Sequence, residues 1–65
     1  MLHYETQLMT KEQFEEFTEY FDYWIGTDYE VNEDPAGSDK VYCVCFELSQ
    51  NEVNQLRTFE NERKM

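Results

Sequence analysis

Residues 41–48, VYCVCFEL, are the run that most restricts the fold. Tyr42, Val44, Phe46 and Leu48 alternate with Val41, Cys43 and Cys45, so an extended chain here is apolar on both sides. Such a strand belongs in the middle of a sheet, with a neighbour on each side. Ahead of it, DPAGSD at 34–39 stacks turn-forming residues, and TDYEVNE at 27–33 alternates Tyr29 and Val31 with Asp28, Glu30 and Asn32. Together these predict a hairpin over residues 28–47 whose first strand has one wet face.

The rest of the chain supplies what the hairpin lacks. LHYETQLM at 2–9 predicts a further strand, with Leu2, Tyr4, Thr6 and Leu8 on one face and His3, Glu5, Gln7 and Met9 on the other. Thr10 and Gln13 have the spacing of a capping box, and Phe14, Phe17, Tyr20/Phe21 and Trp24/Ile25 follow at helical intervals. A helix over 11–25 is predicted, stopped by Gly26. Ser49 and Glu52 form a second box, opening a helix over 50–63 with Val53, Leu56 and Phe59 on its inner stripe. The order β-α-β-β-α implies a two-layer α+β domain, a three-stranded antiparallel sheet covered by two helices, with residues 1–65 as one domain. A chain of 65 residues buries only about 60% of its unfolded surface, which leaves little room for an internal substrate pocket. Its aromatic residues partly offset the small size: Phe14, Phe17, Phe21 and Trp24 are assigned to the core. Tyr20, Tyr23 and Tyr29 are divided between core and surface contact.

Fifteen acids against five bases give a net charge of −10, which repels nucleic acid and anionic membrane and favours a basic protein as partner. No apolar run approaches the eighteen or so residues of a membrane span, and the N-terminus lacks the pattern of a secretory signal, so a cytoplasmic protein is expected. Cys43 and Cys45 stand at i,i+2 on a strand, where Cα atoms about 6.6–6.8 Å apart make a disulfide unfavourable; buried free thiols are expected. His3 adds too little to them for a zinc site, and no cofactor is implied. D-x-E-x-N from Asp28, with Asp39 at the twelfth place, echoes a calcium loop, but Glu33 stands where the turn needs Gly and Pro35 interrupts it. No nucleophile and base pair or phosphate loop is recognisable, so an enzyme is not expected.

The acids are segregated. Glu12, Glu15, Glu16, Glu19, Asp22, Asp28, Glu30, Glu33, Asp34 and Asp39 lie between Lys11 and Lys40 with no base among them. Ordinary solvated faces mix the two signs. Glu12, Glu16 and Glu19 fall along one helix edge about 5–6 Å apart, a spacing of the order of phosphates along a nucleic-acid strand. The candidate partner-binding set is Glu12, Glu15, Glu16, Glu19, Asp22, Tyr23, Asp28, Glu30, Glu33 and Asp34, with Tyr23 as an anchor beside the carboxylates.

In size, charge and the packing of acids around tyrosines, the chain resembles the small acidic inhibitors by which phages block host defence, anti-CRISPR proteins and other DNA mimics. That resemblance implies a host-cytoplasmic inhibitor, monomeric or homodimeric, bound to the basic nucleic-acid-binding surface of a nuclease or surveillance complex. The alternative is a small adaptor or regulatory subunit that binds a basic protein without displacing nucleic acid. Either use has a stability cost: five acid pairs at i,i+3 or i,i+4 on the first helix amount to roughly 1–2.5 kcal/mol of repulsion, in a domain expected to have about 5 kcal/mol in all. Raising ionic strength from about 0.01 M to 0.1 M shortens the Debye length from about 30 Å to 10 Å. The melting temperature is therefore expected to rise with moderate salt; a steady fall, measured by circular dichroism, would show that the acids are paired.

Overall fold

The computed structural model of the chain describes residues 1–63. The elements are β1 (Leu2–Glu5), α1 (Lys11–Trp24), β2 (Tyr29–Glu33), β3 (Val41–Leu48) and α2 (Gln50–Arg63). The sheet order is β1-β3-β2 with both pairings antiparallel, so the doubly apolar strand is central and the α+β arrangement is the one its pattern implies. Both helices begin at their capping boxes. Gln13 N–H donates to Thr10 Oγ1 (3.2 Å) and Thr10 N–H to Gln13 Oε1 (2.9 Å), and Ser49 and Glu52 repeat the exchange at 2.9 and 3.2 Å. α1 ends at Gly26, whose φ of 76° suits only glycine without strain and whose N–H reaches the Phe21 carbonyl at 2.8 Å.

The two helices share one face of the sheet. Cys43 and Cys45 point into it, fully buried and unpaired, and Phe17, Phe21, Val53 and Leu56 descend from the helices to meet them. Phe17 stacks on Phe21 at 5.7 Å between ring centres and takes Phe59 on its edge at 6.2 Å. Small thiols opposite large rings let the layers interdigitate without voids. Glu60 ties α2 to the N-terminal segment, accepting from the Tyr4 hydroxyl and from Gln7 N–H. Burial and that carboxylate push the Tyr4 phenol well above its ordinary pKa.

Three expectations are corrected. Leu48, predicted to share a face with Tyr42, Val44 and Phe46, is buried on the helix side. Leu2 lies opposite Leu48 while Tyr4 lies opposite Cys45, so β3 carries one extra residue facing His3. Glu47, at φ 57°, makes this bulge and turns Leu48 inward. The first strand, predicted over 2–9, stops at Glu5. Three residues lie between Glu5 and Met9 while two lie between their partners Val44 and Val41, and this irregularity points Met9 inward and leaves Leu8 43% exposed. Finally, Trp24, assigned to the core, is 60% exposed. α1 ends there, and Ile25 packs against the core in its place.

Thr6 bridges the break in β1. Its N–H donates to the Cys43 carbonyl (2.9 Å), and its buried hydroxyl accepts from Cys43 N–H (2.9 Å), filling in for a strand carbonyl. Thr6→Val keeps the shape and leaves the Cys43 amide unsatisfied in the core. A loss of about 1–3 kcal/mol is expected in denaturant unfolding, with hydrogen exchange at Cys43 accelerated beyond that of Cys45.

Candidate functional site

Because Phe17 and Phe21 take the buried side of α1, helical geometry sends the acids of that helix outward. Glu12, Glu15, Glu16, Glu19 and Asp22 are all exposed, and Tyr23 is 78% exposed. Glu12, Glu15, Glu19 and Asp22 succeed one another at intervals of three, four and three residues, about 4.5–6 Å of axial rise per step. They form a continuous outer row.

Glu16 stands apart from that row. It flanks α2, and the Arg63 guanidinium pairs with it while lying 5.1 Å from the centre of the Phe59 ring. Among the described residues this is the one ion pair. No base lies near Glu16 in sequence, so only the return of α2 past α1 could reveal the pairing. Both partners are half-exposed, which limits its worth to about 0–1 kcal/mol.

The hairpin acids are distributed over both faces of the sheet. Glu30 pairs with Val44 and so stands on the face away from the helices, beside Tyr42, Val44, Phe46 and His3. Glu33 pairs with Val41 and stands on the helix side. Asp28 is exposed, and its carbonyl accepts from Phe46 N–H at 3.0 Å. The link between helix and hairpin is Asp22, whose charge, after burial, is the next largest cause raising the Tyr29 phenol pKa. Tyr29 itself is half-buried, edge-on to Phe21 at 5.3 Å. The predicted set thus assembles on α1 and continues to β2 at Asp22, while Glu30 points elsewhere.

Asp34 has an internal task. One carboxylate oxygen accepts from Ala36 N–H (3.0 Å) and the other from the Ser38 hydroxyl (2.6 Å), shaping the turn that leads to Gly37 at φ 84°. Residues 29–33, read as part of a calcium loop, are strand, so the loop that site needs is not formed. Burial pushes the Cys43 thiol up to about 11 and Cys45 to about 12, which keeps both protonated at neutral pH.

Sequence reasoning missed the aromatic end of α1. Trp24 meets Tyr23 edge-on at 4.8 Å and Tyr20 at 6.4 Å, and Tyr20 stacks on Phe59 at 4.2 Å. The signal was the end of the helix: a ring in its last turn, next to Gly26, can overrun the sheet. A groove of about 290 Å³ lies between the start of α1 and the end of α2, floored by Leu8, Met9, Phe17 and Phe59. Of its carboxylates Glu16, Glu60 and Glu62, the first two are already engaged by Arg63, Tyr4 and Gln7. No described helix is long and apolar enough to cross a membrane. No family model, curated protein or solved structure matches the chain.

The Asp34 turn gives a pH test. Hydrogen bonds from Ser38, then from Ala36, hold its carboxyl below the ordinary value of 3.8. A depressed acid contributes stability above its unfolded pKa, and that contribution is lost as pH falls through the folded value. In a carboxyl NMR titration Asp34 is expected to protonate below pH 3.8, and Ser38→Ala to move it upward. An unchanged midpoint in the variant would show that Ser38 does not hold it.

Proposed function

We propose that the protein is an acidic inhibitor that docks on the basic nucleic-acid-binding surface of a partner, in the manner of an anti-CRISPR protein or other DNA mimic. The observation that supports this reading is the outer row of α1. Glu12, Glu15, Glu19 and Asp22 are exposed and consecutive, and the one ion pair among the described residues takes Glu16 instead. Their repulsion opposes folding and has no compensating contact on α1. A basic surface on another protein would supply one.

The magnitudes indicate how such docking works. Four carboxylates over residues 12–22 give roughly one charge per 5 Å of helix axis, against about 3.4 Å per phosphate along one DNA strand. A single row is sparser than a strand, so the fit to a nucleic-acid groove requires further acids. Asp22 brings the charge to Tyr29 at the start of β2, next in sequence to the exposed Asp28. Long-range attraction of this kind acts mainly on the association rate and weakens with salt. The partner in this reading is a nuclease or surveillance complex in the cytoplasm of a phage-infected cell.

Glu15→Lys with Asp22→Lys tests the row without disturbing the core. Both positions are exposed, and Asp22→Lys places a cation at the favourable end of the helix dipole. The double variant is expected to melt at or above the parent temperature. It should bind a basic partner captured from host lysate at least tenfold more weakly, about 1.4 kcal/mol, chiefly through slower association. Nucleic acid added to the parent complex should displace the protein. Undiminished binding by the variant would remove the row from the interface, and a complex that retains nucleic acid would make the protein an adaptor.

A further inference from the structure

The rings and acids of α1 are arranged twice over. Glu16 and Tyr20 stand at i,i+4, and so do Glu19 and Tyr23, three residues further on. The first pair is occupied from within: Arg63 is held between the Glu16 carboxylate and the Phe59 ring, and Phe59 stacks on Tyr20 at 4.2 Å. The second pair has the same ingredients, with Tyr23 and Trp24 edge-on at 4.8 Å. No ion pair among the described residues involves Glu19. Rings exposed at 78% and 60% on a domain this small are costly to leave in water.

We propose that Tyr23, with Glu19 one turn before it and the Trp24 ring edge-on to it at 4.8 Å, forms a receptor for an arginine side chain of the basic partner. This rests on the reading given under Proposed function and specifies its central contact. The chemistry selects the occupant. A carboxylate beside an aromatic face attracts a cation, and Trp is the strongest such face. A guanidinium is planar and weakly hydrated, so it stacks on a ring while its edge still bonds a carboxylate, which a compact, strongly hydrated ammonium does less well. Arg63 makes this double contact in the same molecule, between Glu16 of α1 and the Phe59 ring of α2. Charge disfavours the other occupants: a second copy would bring its own −10 to the same acids, and nucleic acid or anionic lipid is repelled.

Trp24 is the single tryptophan of the chain, so its fluorescence reports on the site directly. The full chain is titrated with hexa-arginine and with hexa-lysine, peptides of equal charge, at low and moderate salt. Hexa-arginine is expected to shift or quench the emission saturably and to bind about tenfold tighter than hexa-lysine. By calorimetry, Trp24→Ala should reduce the preference for arginine toward unity while hexa-lysine binding changes little, and Glu19→Gln should reduce the preference while weakening hexa-lysine no more than Glu12→Gln does. Glu12→Gln should weaken both peptides alike and keep the preference. Equal binding of the two peptides without an emission change would overturn the receptor and leave the acidic row as a diffuse docking face. Failure of both peptides to bind would overturn both readings. An emission change on raising protein concentration alone would assign the rings to self-association and also overturn the receptor. The peptide comparison on the unaltered chain stands even where a variant fails to fold.

Discussion

Among the described residues the two helices cover one face of β3, and two thiols line it. Cys43 and Cys45 are small enough for Phe17 and Phe21 to descend between the helix layer and the sheet, and both helices take their positions from that contact. The small side chains on the central strand and the large rings on the helices are therefore one packing decision. The burial that makes room for the rings also keeps the thiols protonated. The other face of β3, Tyr42, Val44 and Phe46, is apolar enough for a third layer that the described elements do not supply. These residues are shielded in part by their neighbours, including His3 at 6.4 Å from Phe46 between ring centres.

What could be read from sequence was local. The capping boxes at Thr10 and Ser49, the stop at Gly26 and the alternation of residues 41–46 each involve groups within a few positions of one another, and each appears where its spacing puts it. Two strand faces were misread for a common reason. Alternation predicts faces only along an unbroken ladder, and a single extra residue reverses everything beyond it. The bulge at Glu47 carries no glycine to announce it. The break after Glu5 is bridged by a threonine hydroxyl standing in for a carbonyl, a substitution that periodicity does not register.

The acidic surface was legible in composition but not in arrangement. Helical spacing put the acids of α1 outward, because the same period that buries Phe17 and Phe21 determines the opposite side, but the edge it gave, Glu12, Glu16 and Glu19, includes the acid that the fold pairs with Arg63. The destinations of Arg63 and Glu60 required the fold. Residues 47 and 56 positions distant meet Glu16 and Tyr4 only because α2 returns across the sheet to both α1 and β1. One base and one acid from α2 thus join what sequence had treated as separate segments. Asp34 differs again, since its turn draws on both carboxylate oxygens and leaves its charge less free for a partner than that of its neighbours.

α1 therefore has three sides with distinct physical roles. Its inner side packs on thiols, its outer side carries a row of carboxylates that no ion pair among the described residues involves, and the side toward α2 carries Trp24 and Tyr20, the latter stacked on Phe59 of α2 with Arg63 beyond it. Carboxylates in water act over a Debye length of about 10 Å at 0.1 M salt, whereas ring contacts act only on touching. On one helix these ranges are complementary: charge governs how quickly a basic surface is found, and rings govern how long it is kept. A fold with so little core has few places to put such rings without losing stability. The outer side of the last turn of α1 is one where exposure does not open the core, because Phe21 and Ile25 keep its inner side closed.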